Sequence, residues 1–291
     1  MFVLNYRLDV AAFSVLISLF FCLLCCVVDN LLGFWVFLEL GSLSAIPALL
    51  YNFNLNNKFY CCILCYIIVS GLSSVVLVSG LLINNLYYFV FFGFVIKFGM
   101  FPFMFWVYQV FSLGNWIFIF ILSVILKFPI LFLNTLYNIC DVNLIYLDCF
   151  FTIFVCSFLF WFFSLSWEFI WCHISLSSVA TLMAACFCSS LELCFFIYWY
   201  YFFWASLCVF YFIKVVDVND IKGWSFWLFC ILLLVTPISI PLFYKLSMII
   251  GILYSSIYLL VVWSIYSFSE QFFLYKLASD YFFVNVYNNW V

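Results

Sequence analysis

Glu39, Lys97, Lys127 and Lys245 each stand near the middle of a long apolar stretch in this 291-residue chain. The stretches read LLGFWVFLELGSLSAIPALLY, NNLYYFVFFGFVIKFGMFPFMFWVYQVF, NWIFIFILSVILKFPILFLNTLY and WLFCILLLVTPISIPLFYKLSMIIG. An ionisable side chain at bilayer depth costs about 3 kcal/mol on insertion scales, so one that is kept there usually serves function. One carboxylate and three amines, in four separate spans, predict a path for protons or ions. Three spans pair the lysine with a proline: Lys97 with Pro102, Lys127 with Pro129, and Lys245 with Pro241. Proline removes a backbone hydrogen bond and kinks or breaks a helix, so helix breaks are predicted at Pro102, Pro129 and Pro241. Freed carbonyls at membrane depth must face protein, polar groups or water, which gives the adjacent lysine a hydrated niche. Burial favours the neutral amine and a nearby carboxylate the charged one. An ion pair that forms and parts would therefore load and unload a proton. The competing reading is that lysines snorkel to an interface. That suits Lys58, Lys214, Lys222 and Lys276 near span ends, and is strained for Lys97 and Lys127.

These residues need membrane helices to hold them. The chain is 71% hydrophobic and 7% charged, with a mean hydropathy of +1.36. A soluble domain carries about 25% charged residues, so no water-facing shell can be built from this sequence. An all-α polytopic membrane protein with a single transmembrane domain over residues 1–291 is predicted. A helical span needs roughly 20 apolar residues, and no barrel-like alternation is present. About ten spans follow: 10–28, 31–51, 58–82, 86–111, 115–138, 143–165, 168–188, 191–215, 225–249 and 251–275. Polar breaks fall at residues 29–30, 52–58, 84–85, 112–115, 141–143 and 217–223, and residues 277–291 read as a tail too short and polar to span. Eight Lys plus Arg set no orientation by the positive-inside rule. No basic cluster exists, which excludes nucleic-acid binding.

Residue usage carries a second message. Phe occurs 44 times, Tyr 20 and Cys 15, against 5 Pro and 1 His. The abundant residues can be written with T- and G-rich codons, as in small organelle genomes, and no Arg-rich, Ser-rich transit segment precedes the first span. An organelle-encoded subunit is the expectation. Cys22, Cys25 and Cys26, and then Cys61, Cys62 and Cys65, have CxxC-like spacings. Inside apolar helices they read as small, soft hydrophobes rather than metal ligands. Glu168 and Glu192 open their spans, where negative charge suits a helix N-terminus, and Asp148 lies a few residues into its own. His173, the only histidine, reads as a hydrogen-bonded structural residue, with a proton-relay role as the alternative. Ser73-Ser74 and Ser177-Ser178 read as small residues at helix contacts.

At the lysines the chain resembles subunit 2 of mitochondrial NADH:ubiquinone oxidoreductase, respiratory complex I. Residues 97–106, KFGMFPFMFW, are similar to that family's K-L-G-x-A-P-F-H-F-W, with Phe98, Phe101 and Met104 departing from it. Trp35, Leu38, Glu39, Ile46 and Pro47 resemble the segment bearing the family's glutamate. Lys127-Phe128-Pro129-Ile130 resembles K-L-A-P-I, with proline one residue nearer. Residues 237–246 resemble G-G-L-P-P-L-T-G-F-L-P-K-W without its glycine pair or the proline before the lysine. Residues 176–181 resemble Y-S-S-I-T-H, with Thr181 in the histidine's place and Trp171-Cys172 in place of a basic pair.

The resemblance implies antiporter-like inverted repeats with discontinuous helices, N-terminally shortened. It implies a proton-translocating membrane-arm subunit of NADH:ubiquinone reductase (H+-translocating), a translocase in the mitochondrial inner membrane. Glu39 would tune Lys97, Lys127 would relay along the midplane and Lys245 would lead to the exit. Flavin, iron–sulfur clusters and ubiquinone would lie in or at other subunits, with no cofactor or metal in this chain. Partners would be the other membrane-arm subunits, both antiporter-like and small, together with bound lipids. The rival readings are a free-standing cation/proton antiporter and an inert structural membrane subunit.

Overall fold

A computed structural model describes residues 2–49, 57–83, 88–136, 142–164, 166–218 and 224–287. Side chains are described for the same residues except 2–8, 57–59, 135–136, 216–218 and 281–287. Every regular element among them is a helix. In order these are α1 (Phe2–Leu24), α2 (Leu31–Ser44), α3 (Ile46–Leu49), α4 (Asn57–Leu82), α5 (Tyr88–Phe98), α6 (Phe105–Leu113) and α7 (Trp116–Ser123). A 3₁₀ turn (Ile125–Lys127) leads into α8 (Ile130–Leu136), followed by α9 (Val142–Phe163), α10 (Trp167–Cys188) and α11 (Leu191–Val218). The chain closes with α12 (Trp224–Leu233), α13 (Ile240–Ile252) and α14 (Ile257–Tyr287).

The protein is a polytopic helical membrane protein. Seven helical stretches are long and apolar enough to cross a membrane, and four shorter apolar helices accompany them. Three of the ten predicted spans are not among the seven: the first, predicted at 10–28, is α1 (Phe2–Leu24), of which Asp9–Leu24 is one of the shorter apolar helices, and the other two have a physical cause. The predicted spans 86–111 and 225–249 are each two half-length helices joined by irregular backbone. Helix α10 is the axis of the bundle: 94% of its apolar stretch is buried inside the protein, against 28–67% for the other long stretches. The rest expose Phe, Leu and Ile, as lipid-facing helices do, including Phe105, Phe210 and Phe268.

Two boundaries differ from expectation. The last span was predicted at 251–275, followed by a tail too short and polar to span, and α14 begins at Ile257 and runs on to Tyr287. Its later residues continue a hydrogen-bonded helix although they no longer carry a purely apolar pattern. Pro241 was predicted as a helix break. It lies instead in the first turn of α13, where proline's missing N–H would have no intrahelical partner anyway. The interruption precedes it, at residues 234–239, and contains Pro237. The polar breaks expected at 52–58, 84–85, 141–143 and 217–223 fall wholly or partly outside the described residues.

Cys22, Cys25 and Cys62 are buried in the hydrophobic core, and Cys26 and Cys61 are exposed. Lys214 is exposed near the end of α11, Lys276 is exposed within α14 rather than near its end as expected, and Lys222 is outside the described residues.

Candidate functional site: a line of buried ionisable groups at three helix interruptions

The first interruption separates α5 from α6. Phe98 ends α5, and Gly99 follows with φ +68°, a left-handed conformation that glycine adopts without a Cβ penalty. The Gly99 N–H donates to Ile96 O at 3.2 Å and the Met100 N–H to Val95 O at 2.9 Å, the bond pair of a Schellman cap. Trp106 Nε1 closes back on Ile96 O at 3.0 Å. A Cβ at residue 99 would lie 2.1 Å from Val107 Cγ2, so both the conformation and the space call for glycine. Pro102 lies inside the interruption. This cap leaves Lys97 in the last turn of α5, at the negative end of the helix dipole, and its Nζ forms an ion pair with Glu39 Oε2 from α2. Both side chains are largely buried, at 8% and 18% exposure.

The second interruption lies between α7 and α8, where Val124, the 3₁₀ turn, Phe128 and Pro129 replace α-helix. Its freed carbonyls have dedicated donors on α11. Tyr201 OH donates to Ser123 O at 2.9 Å, and Tyr198 OH to Val124 O at 3.1 Å. Lys127 ends the 3₁₀ turn with 3% exposure, which excludes snorkelling. Its Nζ donates to Ser175 O at 2.7 Å, Ser178 Oγ at 2.6 Å and Tyr201 OH at 2.8 Å, and lies 4.5 Å from the Tyr201 ring centre. No carboxylate pairs with it among the described residues. Ser178, expected only as a small packing residue, is therefore a direct partner of the central lysine.

The third interruption, between α12 and α13, is held from two sides. From α11, Trp204 Nε1 donates to Leu232 O at 2.7 Å. From α14, Gln271 accepts the Val235 N–H at 2.8 Å and donates to Leu233 O at 3.4 Å, while Tyr275 OH donates to Val235 O at 2.7 Å. One turn into α13, Lys245 Nζ lies 3.2 Å from Glu270 Oε1, with side-chain exposures of 12% and 4%. Ser267 Oγ, at 3.1 Å, is a second acceptor. Gln271 Nε2 also donates to Glu270 Oε1 at 3.0 Å, so the carboxylate that faces Lys245 is tied to the residue clasping the break.

Sequence reasoning missed Glu270. The signal was present, since Glu270 interrupts an apolar run as Glu39 does. Ending the span at 275 placed it near a helix terminus, whereas the observed α14 places it in the middle. Tyr201, Ser175 and Gln271 carry no local signal, because their role depends on a partner far away in the chain.

Two cavities connect the groups. One of about 50 Å³ is bounded by Lys97, Lys127, Tyr66, Ser123 and Ser175; a water needs about 10–15 Å³ and polar partners, so it has room for about three. Another of about 20 Å³ is bounded by Ser178, Tyr244, Tyr266, Lys245 and Glu270, room for one on the same measure. Ser178 bonds Lys127 and lines the second cavity. The order is Glu39, Lys97, Lys127, Ser178, Lys245, Glu270.

Interrupted helices carrying buried lysines that neighbour one another through cavities and hydrogen bonds define a polytopic helical membrane protein with a polar interior. No protein-family profile matches the chain, and no curated protein matches it in sequence. Among solved structures it is similar to a chain of respiratory complex I from Thermus thermophilus, determined with bound aureothin. The TM-score is 0.72 at 12% identity, with 97% of this chain and 71% of that chain covered. At that identity the likeness is one of fold.

Proposed function

We propose that this chain is a proton-translocating membrane-arm subunit of an NADH:ubiquinone oxidoreductase, corresponding to subunit 2 of the mitochondrial enzyme. The observation that carries the proposal is the line from Glu39 to Glu270, with a lysine at each of three helix interruptions. The fold likeness to a complex I chain and the motif at residues 97–106 support it. On this reading the protein is antiporter-like, multi-pass in the mitochondrial inner membrane and organelle-encoded. It binds no redox cofactor, and its partners are neighbouring membrane-arm subunits and lipid.

The geometry suits proton storage and hand-off. An ion pair stands at each end of the line, so Glu39–Lys97 and Lys245–Glu270 are each neutral as pairs. Lys127 lies between them, without a counterion among the described residues. Its ammonium has three N–H donors and finds three acceptors. As a neutral amine it has a lone pair to satisfy, and the Ser178 hydroxyl, which now donates to Ser175 O at 2.7 Å, can rotate to donate to it. The site thus accommodates both states through a hydroxyl turn. A proton taken up by the Glu39 carboxylate removes the counter-charge of the Lys97 ammonium, which then gives its own proton across the first cavity to a neutral Lys127; Lys127 passes it by Ser178 to the Glu270 carboxylate of the Lys245–Glu270 pair. Redox chemistry elsewhere in the enzyme supplies the drive.

The test is purification from native membranes followed by reconstitution. The chain should co-elute with flavin- and iron–sulfur-containing subunits, and Lys127→Met should abolish NADH-driven proton pumping at normal assembly. A stable monomer or homodimer exchanging cations without redox partners would establish the free-standing antiporter instead. Unchanged pumping with Lys127→Met and Lys97→Met would establish an inert structural subunit.

A further inference from the structure

The single histidine of the chain is fully buried, at 0% exposure, on α10. Its Nδ1 lies 2.8 Å from the hydroxyl of Tyr108 on α6. Its Nε2 is buried with no hydrogen-bond partner among the described residues, and so is the hydroxyl of Tyr266 on α14. The Phe160 ring packs against both, 5.1 Å from the His173 ring and 6.3 Å from that of Tyr266. Buried polar atoms are almost always paired, so two unpaired ones flanking a single ring mark a place kept polar at a cost.

The position is informative. Trp116 at the start of α7 stacks on Phe212 at 5.0 Å and Trp167 at the start of α10 packs against the same ring, tilted, at 5.5 Å, so α7 and α10 begin at one end of the bundle. His173 lies six residues into α10, about 9 Å from that end at 1.5 Å per residue. Ser177, one turn further along the same face, lines the cavity of Lys245 and Glu270, as does Tyr266. Tyr108 is half-buried and stacks on Phe169. The pair thus stands between one end of the bundle and the wall of the second cavity, off the line of lysines.

We propose that Tyr108 and His173 form a side branch that delivers protons from the end where α7 and α10 begin to the Lys245–Glu270 pair, through Ser177 and Tyr266. A proton taken up at Nδ1, through the Tyr108 hydroxyl, gives an imidazolium. Release of the Nε2 proton toward Tyr266 and Ser177 moves one proton across the ring and restores the neutral imidazole. The proposal rests on the proton-path reading above.

The experiment uses the assembled enzyme in vesicles, with NADH oxidation and proton uptake recorded for Tyr108→Phe, His173→Asn and the double variant. Asn keeps a hydrogen-bonding atom near the Nδ1 position and cannot carry a mobile proton, so a purely structural histidine would be rescued by it. The relay predicts at least a fivefold slower NADH oxidation, not restored by an uncoupler, in both single variants at normal assembly. It also predicts that the double variant is no slower than the slower single one, because both residues serve one route. Wild-type rates for His173→Asn, with Lys127→Met inactive, would overturn the branch and leave the main path standing. Wild-type rates for all of these variants, Lys127→Met included, would overturn both.

Discussion

Replacing Glu270 with Gln removes the counter-charge of Lys245 and changes little else. The amide oxygen of the new side chain still accepts from Gln271 Nε2, now 3.0 Å from Glu270 Oε1, so the clasp on the third interruption survives. The electrostatic loss is large. At the observed 3.2 Å, two unit charges attract by about 5 kcal/mol at an effective dielectric of about 20. Breaking one side of a buried pair costs about 3–5 kcal/mol, because the remaining charge is uncompensated. At about 1.4 kcal/mol per factor of ten, holding the ammonium at this site becomes at least a hundredfold harder. Proton pumping driven by NADH in reconstituted vesicles should therefore collapse in Glu270→Gln, with subunit content checked by mass spectrometry. Glu270→Asp should be milder, since the charge remains and retreats by one methylene. Combining Glu270→Gln with Lys245→Met should recover thermal stability without recovering pumping, because no unpaired charge is left. Wild-type pumping by fully assembled Glu270→Gln would refute the assignment of the pair to the path.

Glu39→Gln should reduce pumping for the same reason at the Lys97 end, with Glu39→Asp again milder, and the same vesicle assay reads both. Lys127→Met should abolish pumping while keeping thermal stability near wild type in a differential scanning measurement. Among the described residues the amine has no carboxylate to strand, and the Ser178 and Tyr201 hydroxyls retain their own acceptors at Ser175 O and Ser123 O. Gly99→Ala should lower the assembly yield, measured by native gel. A non-glycine residue in the left-handed region costs about 1–2 kcal/mol, and the 2.1 Å approach to Val107 Cγ2 adds overpacking of about 1–3 kcal/mol. Tyr201→Phe should lower the unfolding temperature, since Ser123 O loses its donor and a buried unpaired group costs about 1–3 kcal/mol.

The sequence exposed whatever was encoded by contrast with its surroundings. Glu39, Lys97, Lys127 and Lys245 stand out because nothing near them is charged, and in the structure contacts and cavities link all four in one series. Pro102 and Pro129 marked interruptions because proline acts on its own helix. Pro241 misled for the same reason: proline is equally at home in a first turn, and only the backbone tells the two roles apart. Residues that act across the bundle were hidden. Tyr198, Tyr201 and Trp204 look like any aromatics in a chain with 26% of them, and only the fold brings their polar atoms to the freed carbonyls. Span counts failed where a helix is interrupted, since a window of apolar residues registers composition and cannot see a change in backbone conformation.

The three-residue spacing of Tyr198, Tyr201 and Trp204 has a kinematic consequence. Their polar atoms hold Val124 O and Ser123 O at one interruption and Leu232 O at another, over distances of 2.7 to 3.1 Å. All three are mounted on the single helix α11, so the α7–α8 and α12–α13 interruptions share one support. A displacement of α11 would act on the surroundings of Lys127 and of Lys245 together.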